Sequence, residues 1–225
     1  MTKRDPAPPV SDAAGDYLKA VLRLSRDGPA STNAIAQHLG FTPASVSGML
    51  ARLAAADLID HRPYRGATLT ERGRREALRL MRRHRLVETF MIQHLGYGWE
   101  EVHHEAEAIE HAISDRFAER LDALLGHPSH DPHGDPIPRP DGTVPDTPDV
   151  PLHDVEEGRE LHVARLLSQD RELLAHLAEL GIAPGARVRV VAREPRGGML
   201  RVQVGGLDHA LSRDLAAMVR GADGP

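Results

Sequence analysis

The chain has 225 residues, a net charge of −5 with histidine neutral, 40% hydrophobic residues and only 3% aromatic ones. That length suits two or three small domains, with cores resting on Leu, Ala, Val and Ile. The absence of cysteine excludes disulfides, thiolate metal sites and cysteine nucleophiles; with no apolar run near the ~20 residues of a spanning helix and no apolar leader in Met1–Asp12, a cytoplasmic protein is expected.

Apolar spacing predicts a first helix over Asp16–Arg26, ended by Gly28-Pro29. Ser31 is placed to cap a short helix to Leu39, with Gly40 as its C-terminal stop. Thr42 is placed to cap the next helix, with Pro43 in its first turn, running to about Ala56. Two short helices joined by a Gly turn form a helix-turn-helix candidate. Leu58–His61 and Ala67–Leu69, joined by Pro63-Tyr64-Arg65-Gly66, read as a small β-wing. Thr70 then starts a long helix, Glu71–His94. A further helix is expected from about Glu100 to Leu125, with the stripe Val102, Ala106, Ile109, Ile113 and Phe117, closed by Gly126. His127–Pro151 holds eight prolines and no period, so it reads as a loop and linker. The block from Arg159 to Arg220 reads as a small β-barrel. Its strands are expected at Leu161–Leu166, Val188–Val191, Leu200–Val204, His209–Leu211 and Met218–Val219, with a helix capped by Asp170, and turns at Arg196-Gly197-Gly198 and Gly205-Gly206.

Charge is unevenly spread. Residues 51–85 carry ten arginines against four acidic residues, and residues 86–160 carry eighteen acidic residues against four arginines, with eight of the fourteen histidines. The basic stretch suits a polyanion and the acidic, histidine-rich stretch suits a cation, although a solvated surface explains either equally well. In the helix-turn-helix, Thr42, Ala44, Ser45, Ser47 and Gly48 are placed to meet base edges. They are small, so reading would rest on hydroxyl contacts, thymine methyls and DNA shape. Arg52, Arg62 and Arg65 are placed for phosphate.

A second constellation is His84 and Glu88, four apart on one helix, with His103, Glu107, Glu110 and His111 on the next. Imidazole and carboxylate without sulfur suit Mn²⁺, Fe²⁺ or Zn²⁺, and a carboxylate at 107 shifts the preference towards Mn²⁺. The alternative is an exposed polar helix face. His94 and His104 read as surface residues, and His127, His130 and His133 as an extra site or as nothing. HExxH, GxSxG and P-loop patterns are absent, so no enzyme is expected.

Three stretches resemble the diphtheria toxin repressor family of metal-dependent transcriptional regulators, and most closely its manganese-responsive members. They are Met81-Arg82-Arg83-His84-Arg85-Leu86-Val87-Glu88, Val102 to His111 with Ser114-Asp115, and Pro132-His133-Gly134-Asp135-Pro136-Ile137-Pro138. The resemblance implies a mainly α chain with small β parts. It implies a winged helix-turn-helix domain (1–75), a helical metal-binding and dimerisation domain (76–145), a linker (146–158) and an SH3-like (FeoA-like) domain (159–225). It also implies a homodimeric repressor of metal-homeostasis genes that binds double-stranded operator DNA when loaded with metal, and neither membrane nor organic cofactor.

By resemblance, Asp16, Glu107, Glu110 and His111 form a primary metal site. His84, Glu88 and His103 form an ancillary one, with Asp170 or neighbouring Glu172 from the barrel. Carboxylates at Asp16 and Glu107, where iron-sensing members carry Met and Cys, favour Mn²⁺ over Fe²⁺; Zn²⁺, Co²⁺ and Cd²⁺ are expected to substitute in vitro. Lys19 stands where some manganese regulators place a second carboxylate, which argues against a closely spaced binuclear site. Two rival readings are a metal-independent winged-helix regulator and a metal-dependent hydrolase carrying a helix-turn-helix.

Overall fold

The computed structural model describes residues 11–25, 28–62, 65–99, 101–194 and 198–224. The expected helix end at Arg26, Pro63-Tyr64 of the wing turn, the helix start at Glu100 and the Arg196-Gly197 turn lie outside the described residues, as does the N-terminal segment 1–10. The chain forms two compact units, residues 1–82 with 140–142, and residues 83–139 with 143–225.

The first unit holds α1 (Asp12–Leu24), α2 (Thr32–Leu39), α3 (Pro43–Ala55), β1 (Ile59–Arg62), β2 (Gly66–Leu69) and the first half of α4 (Glu71–Leu95). α1 starts four residues before Asp16, because Ser11 Oγ accepts the Ala14 N–H as an N-cap; the added turn has no large apolar side chain to betray it. Ser31 caps α2, Gly40 ends it at φ +69°, and Thr42 caps α3 behind Pro43, as expected. β1 and β2 pair antiparallel from Ile59↔Leu69 to Arg62↔Gly66, giving the wing. Leu18, Val21, Ile35, Val46, Leu50, Leu53 and Ala67 fill the core between them. Gly73 lets α4 start against the wing: a Cβ there would stand 1.8 Å from the Leu58 carbonyl oxygen.

The second unit begins with the rest of α4 and two short helices, α5 (Val102–Glu110) and α6 (Asp115–Leu124). This corrects the single helix expected over 100–125. Ser114 leaves the helical conformation and its Oγ caps the Phe117 N–H, starting a new helix. The expected stripe is therefore broken: Val102 and Ala106 are buried, whereas Ile109 and Phe117 are exposed. The proline-rich stretch is not a featureless linker. Ile137 is buried with Leu86, Met91, Val102 and Ala106, and His130 bridges to Pro136.

The C-terminal part is a six-stranded antiparallel sheet. Its elements are β3 (Val150–Pro151), a 3₁₀ turn (Leu152–Asp154), β4 (Glu160–Leu166), α7 (Arg171–Glu179), β5 (Arg187–Arg193), β6 (Met199–Val204), β7 (Leu207–Ser212), α8 (Arg213–Met218) and β8 (Val219–Gly224). The strand order is β3-β8-β4-β5-β6-β7. Register shifts at Val163/Arg165 in β4 and Val190/Ala192 in β5 mark bulges, which bend the sheet around Leu161, Leu174, Leu177, Val188, Val202 and Leu211. α8 is an element the sequence reading missed: Ser212 caps it, so Met218 ends a helix and only Val219 begins the last strand.

Candidate metal centre

One turn of α4 separates His84 from Glu88, so both side chains leave the same face. α5 brings His103 to them. His84 Nε2 lies 2.9 Å from Glu88 Oε1 and 3.0 Å from His103 Nδ1, and His103 Nδ1 lies 3.2 Å from Glu88 Oε1. All three residues are buried. Two donors at right angles on one ion, each about 2.1 Å from it, stand about 3 Å apart, so these spacings suit a shared cation.

Glu110, at the end of α5, is fully buried. Its Oε2 lies 2.5 Å from His84 Nδ1 and its Oε1 lies 3.4 Å from His111 Nε2. His84 thus has a carboxylate at each ring nitrogen. Burial acts to lower its pKa, but Glu88 and Glu110 overcome this and raise it to about 9. For Glu88, burial acts to raise the pKa, but His84, His103 and His133 hold it well below the usual carboxylate range. Without an ion, His84 donates Nδ1–H to Glu110 and Nε2–H to Glu88, so the imidazole proton supplies the charge that a cation would bring.

Glu88 also faces a second group. Its Oε2 lies 3.8 Å from His133 Nδ1, and Glu88, Asp131 and His133 bring donor atoms within 4.8 Å of one another. His133 Nε2 lies 2.6 Å from the Trp99 carbonyl oxygen, which fixes the ring. Burial, then the neighbouring Glu88 and Asp135, push Asp131 up to about 8, with Arg85 offsetting part of the effect. A buried carboxyl so crowded by others is satisfied by a proton or by a cation. The donor chemistry of both groups therefore fits a divalent ion of the Mn²⁺, Fe²⁺ or Zn²⁺ type.

The remaining expected ligands differ in their surroundings. Glu107 is half exposed, with Oε1 3.5 Å from His103 Nε2. Asp16 stands on α1 with Oδ1 3.5 Å from Lys19 Nζ, so a cation already stands where the resemblance places a second carboxylate in some manganese regulators. Asp170 is exposed; its Oδ1 accepts the Leu173 N–H at 3.0 Å as the cap of α7, and it belongs to no three-donor group among the described residues. Glu172 is exposed in the same first turn.

Asp131 escaped the sequence reading, and His133 was grouped with two histidines that do other work. His127 pairs with Asp122 at 2.7 Å, and His130 bonds Ser129 and Thr147. The signal that could have separated them is Asp131-Pro132-His133-Gly134, a turn former one residue from a histidine. His94 and His104 are exposed, as expected.

The DNA-reading candidates are uniformly presented. Thr42, Ala44, Ser45, Ser47 and Arg52 of the α3 segment are exposed, as are Arg62 and Arg65 of the wing. Thr42 Oγ1 donates to Ser45 Oγ and accepts the Ser45 N–H, and Ser47 Oγ donates to the Pro43 carbonyl oxygen. No helix among the described residues is long and apolar enough to cross a membrane.

Known proteins show the same three-part arrangement. Residues 10–67 match the iron-dependent repressor N-terminal DNA-binding domain, residues 70–139 its metal-binding and dimerisation domain, and residues 150–222 the FeoA domain. The chain is 32% identical to the iron-dependent repressor IdeR of Mycobacterium tuberculosis, over 93% of this chain and 96% of that protein. It is 29% identical to the diphtheria toxin repressor of Corynebacterium glutamicum, over 93% and 95%. Among solved structures, a manganese-dependent transcriptional repressor in complex with manganese is 41% identical, with a TM-score of 0.86 over 93% of this chain and 100% of that one. ScaR with bound Zn²⁺ is 32% identical, with a TM-score of 0.81 over 93% and 98%.

Proposed function

The chain belongs to the diphtheria toxin repressor family of iron- and manganese-dependent transcriptional repressors, and on that premise we propose that Mn²⁺ is its activating ion. The observation that carries this reading is the buried convergence of His84, Glu88, His103 and Glu110, an all-nitrogen-and-oxygen donor set with no sulfur. The related repressor that was solved with manganese supports the choice, and the chain's Asp16 and Glu107 are hard donors.

His84, Glu88 and His103 are the proposed ancillary set, extended by Asp131 and His133. Asp16, Glu107, Glu110 and His111 are the proposed primary set, with Asp16 assigned on the family resemblance alone. Bound Mn²⁺ would supply the positive charge and the fixed ligand directions that these donors lack. The chain's own residues do the rest. His84 would release a proton to become a ligand, and Glu88, held low by the neighbouring histidines, and the buried Glu110 would receive the cation. On the family resemblance, an ion held by Asp16 together with the α5 donors would set, in a homodimer, the spacing of two α3 helices to operator half-sites. DNA and metal then strengthen each other's binding reciprocally.

We propose the functional parts as 1–75, 76–145 and 159–225, joined by 146–158, in a cytoplasmic homodimer that regulates metal homeostasis and performs no catalysis. A mobility-shift assay of the encoding promoter region across Mn²⁺, Fe²⁺, Zn²⁺, Co²⁺ and Cd²⁺, with chelator, tests the reading. Retardation that needs metal, and needs least of Mn²⁺, is the expected result. Equal retardation in chelator favours a metal-independent regulator.

A further inference from the structure

The turn at Asp131–Asp135 is closed on itself. Asp131 Oδ1 accepts the His133 N–H at 2.9 Å and the Asp135 N–H at 3.0 Å, and the Asp131 N–H donates to the Asp135 carbonyl oxygen at 2.9 Å. On one side it meets α4. Arg85, buried, bonds the Pro136 carbonyl oxygen and lies 3.4 Å from Asp131 Oδ2 and 3.6 Å from Asp135 Oδ2.

On the other side it is pressed against β4. The Leu166 N–H donates to the His133 carbonyl oxygen at 3.0 Å. Gly134 has φ +83°, and a Cβ there would stand 1.8 Å from the Ala164 carbonyl oxygen, so no other residue allows this approach. Arg165, buried at 5% exposure beside the β4 bulge, reaches Asp135 Oδ1 at 3.5 Å with one arm and Asp149 Oδ1 at 2.5 Å with the other. The turn that carries Asp131 and His133 is thus gripped by one arginine from the dimerisation helices and another from the β-sheet.

We propose that Arg165 is a positioning residue for the metal centre: from β4 it holds the 131–135 turn so that Asp131 and His133 face Glu88. The C-terminal sheet then supports the centre although, among the described residues, none of its own side chains belongs to this three-donor group. The inference rests on the reading that Glu88, Asp131 and His133 hold an ion. The sign of the effect separates position from charge. A buried guanidinium repels a cation nearby, so its removal tightens Mn²⁺ binding if charge alone matters. It weakens binding if the arginine's work is to hold the turn, and residues that orient ligands without touching the ion typically account for about 10–100-fold in affinity.

The test is Mn²⁺ binding to the full chain, counted by electron paramagnetic resonance of the free ion, with circular dichroism as the check of folding. Wild type is compared with His133→Ala, Arg165→Met, Arg165→Lys and Gly134→Ala. His133→Ala removes a ligand and is expected to lose the high-affinity Mn²⁺ of this group. Arg165→Met is expected to weaken the same ion at least about tenfold, and Arg165→Lys, which keeps the charge and one donor group, to recover much of the loss. Gly134→Ala, which adds one methyl and no charge, is expected to weaken it likewise and decides the matter if Arg165→Met does not fold. Wild-type or tighter Mn²⁺ binding in folded Arg165→Met, or wild-type binding in Gly134→Ala, overturns the proposal. If His133→Ala binds Mn²⁺ as wild type does, the underlying reading of the group fails, whatever Arg165 does.

Discussion

Glu110 Oε2 stands 2.5 Å from His84 Nδ1, so the last residue of α5 is bonded to the histidine that opens the ancillary set on α4. The same carboxylate has its other oxygen 3.4 Å from His111 Nε2. One buried carboxylate therefore stands between a histidine of each proposed set. Glu110→Gln, which keeps the shape and removes the charge, is expected to weaken Mn²⁺ at both by at least about tenfold each. Glu107→Gln, at a half-exposed carboxylate, is expected to cost less. Isothermal titration of the two variants checks this, and a loss confined to one class of site in Glu110→Gln contradicts the shared role.

Metal-free stability is expected to fall as pH rises from about 6.5 to about 9. His84 is raised in the folded chain, so its contribution is complete below its ordinary value of 6.5 and is lost as pH climbs through about 9. Asp131, raised to about 8, works in the same direction: the folded chain keeps a proton that the unfolded chain has released. Glu88, held low, acts only in acid, where its contribution fades as pH drops below its ordinary range. Excess Mn²⁺ takes the place of both protons, so its stabilisation grows across the alkaline window. Thermal melts with chelator and with Mn²⁺ measure it, at about 2–4 °C per kcal/mol for a chain of this size. Parallel pH profiles with and without Mn²⁺ contradict it.

The winged helix was legible because its signals are local. Ser31, Gly40, Thr42 and Pro43 mark helix ends through their own backbone chemistry, and each stands at the end it marks. His84 with Glu88 was legible for the same reason, as a four-residue spacing on one helix. The break at Ser114 was not, because the apolar period of Ile109, Ile113 and Phe117 continues in sequence across a cap that interrupts it in space. Asp131 was invisible because its partner Glu88 is 43 positions away and the turn between them is set by Pro and Gly rather than by any period. Asp170 carries no local signal of a ligand and was placed by the resemblance; one of its carboxylate oxygens caps α7.

Arg65→Ala in the wing is expected to weaken binding to all DNA sequences alike. The slope of log affinity against log salt is expected to fall by about 0.9, the value of one phosphate contact. Ser45→Ala, at the exposed start of α3, is expected to leave the slope unchanged and alter base preference. Anisotropy titrations at several salt concentrations distinguish them, and a selective loss at one base position in Arg65→Ala makes it a base reader.

Gly73→Ala is expected to destabilise the winged helix by about 1–3 kcal/mol, through overpacking. The added Cβ collides with the Leu58 carbonyl, which accepts the Thr70 N–H that joins the wing to α4. Chemical denaturation measures the loss. Wild-type stability in this variant contradicts the packing described at the start of α4.

The central claim, that a divalent ion held by buried imidazoles and carboxylates switches on DNA binding, is tested most directly by titrating Mn²⁺ into a fixed mixture of the chain and a fluorescent fragment of its own promoter. Anisotropy is expected to rise with Mn²⁺ and to reverse on chelation. Operator affinity is expected to be about 5–150-fold higher in the loaded state, and the response of Glu110→Gln to be displaced to much higher Mn²⁺. Operator binding of equal strength in Mn²⁺ and in chelator, for wild type and Glu110→Gln alike, would contradict it.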